Sequence, residues 1–144
     1  MSLQWITPPS QLQRNIEAYA QRLLTAVHAA AVYWGQMVQN DARRGAIWED
    51  RTGNARGGLF FAVDGFGLQP ITGTVTPGAM DARTDAEAIS GDKDHLVIVL
   101  SHTVYYGVFL ELCNGGAYAI IMSTVERNLP TLERLIREKL NDPR

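Results

Sequence analysis

A chain of 144 residues with 46% apolar residues and a formal charge of -2 can bury a core without staples and is too apolar to be disordered throughout. That charge excludes a general basic attraction to nucleic acid or anionic lipid. The one cysteine, Cys113, cannot form an internal disulfide, and no apolar run is long enough to cross a bilayer. The first residues also lack the basic start and apolar run of a signal peptide, so a soluble protein made inside a cell is expected. Positive charge is one-sided in type, with eleven Arg against two Lys. Guanidinium groups suit partly buried, bidentate pairing, so the bias favours interfaces; genomic base composition produces the same bias.

In chain order, residues 1–9 form an N-terminal arm carrying Trp5, and 10–144 a single α+β domain. Pro8-Pro9-Ser10 opens a helix over 10–44, with Ser10 and Gln13 spaced as a capping box. Leu12, Ile16, Tyr19, Leu23, Val27, Ala30, Trp34 and Met37 recur at spacings of three and four, one apolar stripe. Gln21, Thr25, His28, Gln36, Gln39 and Arg43 take the polar side, and Gly45 is the stop. Such a helix measures roughly 50 Å, whereas a globule of this length has a radius of gyration of about 14–15 Å. A straight helix must therefore overhang its own domain, and its stripe calls for another surface to cover it. An oligomer follows. Ala29-Ala30-Ala31 would let a neighbouring backbone approach closely.

Residues 45–58 are a glycine-punctuated connector, with a helical turn expected from Asn54. Leu59 to Val63 reads as a strand or a buried helix end, and Pro70 to Thr76 as a strand weakened by a glycine. The segment 77–94 has five acids (Asp81, Asp85, Glu87, Asp92, Asp94) against Arg83 and Lys93, and reads as a mobile loop or hairpin tip. His95 to Ser101 is β-branched and continuous enough for a strand buried on both faces. Val104 to Leu112 has helical spacing, Asn114-Gly-Gly116 is a turn, and Ala117 to Met122 reads as a further strand. Ser123 and Glu126 repeat the capping-box pattern ahead of a last amphipathic helix, where Pro130 either makes a kink or sits in the first turn behind Asn128. The fold class expected is α+β: a long N-terminal and a C-terminal helix packed on a small antiparallel sheet, with a long acidic loop.

Chemistry is hard to find in these residues. Gly53, Gly57 and Gly58 do not have phosphate-loop spacing, since no Gly-Lys-Ser/Thr follows; a turn that positions Arg51 and Arg56 is the better account. His28, His95 and His102 lack metal spacing. His28 on the polar helix face is expected to be solvated, and Cys113 after an apolar helix to be a packing residue. Tyr105, Tyr106, Phe109 and Trp34 could stack bases, but no basic surface accompanies them. Trp5 either tucks back on the domain or anchors in a neighbour. No catalytic residue, cofactor or metal is expected.

The long helix followed by Arg51-Thr52-Gly53, Arg56 and Leu59, then Tyr106-Gly107 with Leu110-Glu111 and a C-terminal helix, resembles the neck or tail-completion (head-tail joining, minor tail) proteins of long-tailed phages. The resemblance spans about residues 10 to 140. Where many members follow the Glu with Gly-Thr and enter the last helix through Pro-Phe, this chain has Leu112-Cys-Asn-Gly-Gly116 and Ile121-Met-Ser-Thr124. It implies a non-enzymatic virion protein that assembles as, or onto, a hexameric or dodecameric ring between head and tail. The partners implied are head-tail connector or adaptor proteins and tail-terminator or tail-tube proteins, with DNA only as passing cargo and no membrane. The implied location is the virion, after assembly in the host cytoplasm. Expected contact residues are Trp5, Trp34, Arg43, Arg44, Trp48, Arg51 and Arg56, with the outer part of the long helix. The acidic residues Asp81, Asp85, Glu87, Asp92 and Asp94 either face the channel, where they would keep exiting DNA from sticking, or are simply solvated. Two rival readings are a small host-directed or toxin-like binding module and a hydrolase built on Cys113 or His102.

Overall fold

A computed structural model describes residues 3–4, 6–49, 51–75, 91–104 and 106–143. The fold is α+β. Helix α1 (Pro9–Gly45) is followed by a single turn α2 (Asn54–Gly57), strands β1 (Leu59–Gly65), β2 (Leu68–Thr72) and β3 (Leu96–His102), a short helix α3 (Gly107–Leu112), a 3-10 turn over Asn114–Gly116, and α4 (Ile121–Asn141).

The 37 residues of α1 make a rod of about 55 Å. It starts one residue before the expected cap: Pro8 precedes the first turn, and its carbonyl accepts the amides of Gln11 and Leu12. Ser10 therefore lies inside the helix, and Gln13 hydrogen-bonds Glu17 instead of closing a capping box. Proline at the first helical position is preorganised there and has no amide to leave unpaired.

The sheet has the order β2-β1-β3, antiparallel throughout. Leu59 to Val63 is thus a strand, and the central one. Its hairpin with β2 turns over Phe66 and Gly67, both at positive φ, the two-residue geometry that follows the twist of the strands. Leu59, Phe61 and Val63 are fully buried. Phe61 and Val63 join Ala31 of α1 with Leu96, Ile98 and Leu100 of β3. Gly35 permits that approach, since a Cβ there would run into the Phe61 ring. β3 pairs with β1 and is half-buried along its length. This corrects the expectation of burial on both faces: its apolar continuity serves one packed face at a sheet edge.

α4 runs antiparallel to α1. At its start, Ile120 and Ile121 pack with Ala42, Ala46, Trp48, Ala55 and Leu59. Further along, Asn128 meets Trp34 and Asp41, and at its end Lys139 and Pro143 lie beside Ala18 and Ala26. The expected strand over Ala117 to Met122 is absent, because the Glu111 carboxylate accepts the amides of Ile120 and Ile121. Those donors would otherwise be unpaired at a helix start, so the short apolar run enters α4 directly. Ser123 then lies within the helix, its hydroxyl bonded to the Ile120 carbonyl, and is not a cap. Pro130 sits in the interior of α4, and the helix continues through it.

Two residues placed on the polar side of α1 are buried. Gln39 has no exposed surface and donates to the Leu59 and Thr74 carbonyls. His28 is 9% exposed rather than solvated. Helical periodicity identified one buried stripe, but the C-terminal half of α1 is covered by both the sheet and α4, which widens the buried arc beyond it.

Candidate functional site

The same row of α1 that is buried at Val27, Ala30 and Trp34 is exposed nearer the N-terminus, at Leu12 (49%), Ile16 (60%) and Tyr19 (46%). The cause is a mismatch of lengths. α4 spans 21 residues, about 31 Å, and Lys139 near its end and Pro143 beyond it share a surface groove with Ala18, Ala26 and Ala29 of α1. The turns from Pro9 to Glu17 project past it with every residue exposed. Single exposed apolar residues are ordinary; these three share one helix face at i, i+4 and i+7.

At the other end of α1 the chain turns a corner. Gly53 has φ 77°, a conformation that costs glycine little. Arg56 donates to the Arg43 carbonyl (2.7 Å) and to the Trp48 carbonyl (2.9 Å). The Arg43 guanidinium in turn donates to the carbonyls of Gly57 (3.0 Å), Leu59 (2.8 Å) and Thr74 (2.7 Å). Burial lowers the pKa of Arg43 from its ordinary value, though a guanidinium remains charged.

These contacts correct part of the expected surface. Trp34 and Trp48 are core residues, 3% and 7% exposed; the Trp34 indole N–H donates to the Asn128 carbonyl. Arg43 and Arg56 point inward to backbone oxygens and hold the corner together. Arg44 and Arg51 are exposed. Trp5, Asp81, Asp85 and Glu87 lie outside the described residues, as does Tyr105. Asp92 and Asp94 are exposed, and Asp92 closes a local turn. Its carboxylate accepts the amides of Asp94 and His95 and contacts the His95 ring. Its pKa is lowered, chiefly by the bond from the Asp94 amide and then by the His95 ring.

Beside the corner, His102 Nε2 lies 3.0 Å from Glu111 Oε1, with the two side chains 5% and 17% exposed. The His102 ring is tilted against Trp48, 6.0 Å between centroids. Gly107 is required by this packing, because a Cβ there would meet the His102 side chain. The Tyr106-Gly107-x-x-Leu110-Glu111 pattern therefore has a structural cause: glycine makes room for histidine, and the carboxylate four residues later caps α4. Both Glu111 oxygens are engaged, by His102 and by the Ile120 and Ile121 amides. That arrangement stabilises a helix start and restrains an imidazole.

The pair lies at one side of a cleft of about 360 Å³ between α3 and the end of β3, lined by Ser101, Val104, Val108 and Leu112 and by Ile121 of α4. Val108 (51%) and Leu112 (74%) are exposed around it, as are Phe109 and Met122. Cys113 is an exposed free thiol, so it is not the packing residue expected. Among the described residues, no cluster of three or more His, Cys, Asp or Glu side chains could hold a metal ion.

The exposed apolar surface includes Leu12, Ile16 and Tyr19, on the outer part of the long helix where contact was expected, and the α3 face, which was not expected. The signal for the first was present in the excess length of α1. For the second there was none, because Val108, Phe109 and Leu112 read equally as core. Comparison with protein-family models, curated proteins and solved structures finds no match.

Proposed function

We propose that this chain is a non-enzymatic structural protein of a virion head-tail junction, a neck or tail-completion component that assembles as, or onto, a ring and joins tail to head. The observation that carries the reading is the projecting end of α1, with Leu12, Ile16 and Tyr19 in one exposed row. A helix that overhangs its own core by several turns contributes little to the fold of its own chain and much to a contact with a neighbour.

Two further observations support it. The stretches that resemble the neck family, Arg51-Thr52-Gly53 with Arg56, and Tyr106-Gly107 with Glu111, build a helix-end corner and a helix cap. Such joints stiffen a part that must transmit position between neighbours. Arg44 and Arg51, exposed beside the corner, are available to pair with carboxylates of a connector or tail-terminator subunit.

Particles assembled without this chain should accumulate as DNA-filled heads and separate tails under negative-stain microscopy. Normally joined virions from such a deletion would overturn the reading.

A further inference from the structure

We infer that Asn114 and Gly115 form a self-modifying step in the chain: the asparagine side chain cyclises onto the next amide, and the rearranged product loosens the cap on α4. The chain has six asparagines. Five lie in α1, α2 or α4 and precede a residue with a side chain, namely Ile16, Asp41, Ala55, Leu129 or Asp142. Asn114 alone precedes a glycine, in the turn that joins α3 to α4, where every residue from Leu112 to Tyr118 is exposed. Cyclisation requires the Gly115 nitrogen to reach the Asn114 Cγ, and the turn leaves that path open. Asn114 has φ 56° and Gly115 φ 64°, and a Cβ at Gly115 would meet nothing within 4 Å, so no side chain screens the nitrogen. The Gly115 amide donates to no described group, whereas those of Gly116, Ala117 and Ala119 are held by the Cys113, Asn114 and Gly116 carbonyls. An exposed turn with three such bonds opens locally at little cost, which frees the main chain at Asn114 to rotate into the attack.

Water is the only co-reactant. The Gly115 nitrogen gives up its proton and bonds to Cγ, the Cγ–Nδ2 bond breaks, and ammonia leaves. Water then opens the five-membered imide. Opening at Cγ leaves an ordinary aspartyl residue. Opening at the main-chain carbonyl leaves an isoaspartyl linkage, whose backbone runs through Cβ and is longer by one bond, about 1.5 Å. In that product the carbonyl that accepts from Ala117 becomes a free carboxylate. The added bond enters the stretch that delivers the Ile120 and Ile121 amides to Glu111, so it shifts those donors against their acceptor.

The full chain, held in warm, mildly alkaline buffer and then digested in acid, should show the peptide containing residue 114 heavier by the exchange of NH2 for OH. It should separate into two products, of which isoaspartyl methyltransferase labels one, before any other asparagine converts. Gly115→Ala should slow conversion by about tenfold or more, each tenfold being about 1.4 kcal/mol of barrier. Because alanine is strained at this φ, Asn114→Gln repeats the test with a side chain that must close a larger ring, and should slow conversion as far. A chain still unmodified at 114 after several weeks, or conversion undiminished in either variant, would overturn the site. In the isoaspartyl form, amide exchange at Ile120 and Ile121 should be several-fold faster than in the parent chain. Asn114→Asp carries the charge without the added bond and should exchange as the parent does. Unchanged exchange in the isoaspartyl form would sink the link to the cap, and so would equal acceleration in Asn114→Asp.

Discussion

Arg43 and Arg56 each hold the backbone around the other. Arg56 Nη1 donates to the Arg43 carbonyl at 2.7 Å, and Arg43 Nη2 donates to the carbonyl of Gly57, the residue after Arg56, at 3.0 Å. The Arg43 carbonyl belongs to the last turn of α1, where main-chain acceptors lose their helical partners. The carbonyls of Gly57, Leu59 and Thr74 converge where α2, β1 and the segment after β2 meet. Two guanidinium groups thus serve a cluster of carbonyls that the turn cannot satisfy by itself.

Arg43→Ala and Arg56→Ala should each destabilise the fold by about 1.5–3 kcal/mol, the range for hydrogen bonds to charged groups. Arg51→Ala, at an exposed position, should leave the urea midpoint where it is. Charge reversal at Arg56 should likewise cost fold stability, because its guanidinium serves the Arg43 and Trp48 carbonyls. Arg43→Lys tests the same geometry: all three bonds leave Nη2, and an ammonium offers three donors from one nitrogen but on a stem one atom shorter, so it should recover only part of the stability lost in Arg43→Ala. A midpoint unmoved by both alanine substitutions would show that the corner stands without them.

Gly107 and His102 form a second coupled pair. Gly107→Ala should cost about 1–3 kcal/mol through overpacking, because its Cβ would meet both the Cβ and the ring of His102. Alanine at 102 would keep that Cβ, so His102→Gly is the change that opens the space. The double variant should therefore be more stable than the sum of the single losses, with a coupling of 0.5 kcal/mol or more from the cycle. Strict additivity would mean that the backbone shifts to absorb the methyl group.

How much of this was legible follows from where the determinants sit. The bounds of α1 and the cores of β1 and β3 are written locally, in apolar spacing and flanking glycines. The entry to α4 is not. Ala117 to Met122 reads as a strand by composition, and what makes Ile121 helical is Glu111, ten residues earlier and across space. Burial on the polar side of α1 was hidden for a similar reason. Gln39 and Arg43 are polar by type, yet both meet carbonyls of the corner, whose position depends on how the chain returns after Gly45. Of the candidate surface, the overhang was readable as arithmetic on helix length, whereas the cleft required the placement of α3 against the end of β3 and Ile121.

The cap on α4 gives a prediction read at the level of single amides. Glu111→Gln keeps an acceptor but loses the charge that favours a helix N-terminus, and its amide group replaces one carboxylate oxygen. Hydrogen exchange should accelerate at Ile120 and Ile121 by several-fold, with the amides of β1 unaffected. Glu111→Ala should extend the fraying further into α4 and cost about 1–2 kcal/mol, as for loss of a helix cap. Uniform acceleration across the whole fold would mean that Glu111 supports the core rather than the helix start.

Asp41 ties α1 to α4, and its pH dependence has a definite sign. Its carboxylate accepts from Asn128 Nδ2 and Arg127 Nη2, both at 2.8 Å. Its pKa is lowered below the ordinary aspartate value, first by the Asn128 hydrogen bond and then by that of Arg127. A carboxyl whose folded pKa is depressed contributes stability above its unfolded pKa, and loses that contribution as pH falls through the folded one. The unfolded value is about 3.9, so the gap between the parent chain and Asp41→Asn should be constant above about pH 5 and narrow from about pH 4 downward. Because Arg127 is 54% exposed, water screens the pair and the gap should be about 1 kcal/mol or less. It should shrink further in 1 M salt, where the screening length falls to about 3 Å. Urea midpoints of both chains between pH 7 and pH 3 measure it directly, and other titrating carboxylates cancel in the difference. A gap that widened in acid would overturn this account of the α1–α4 tie.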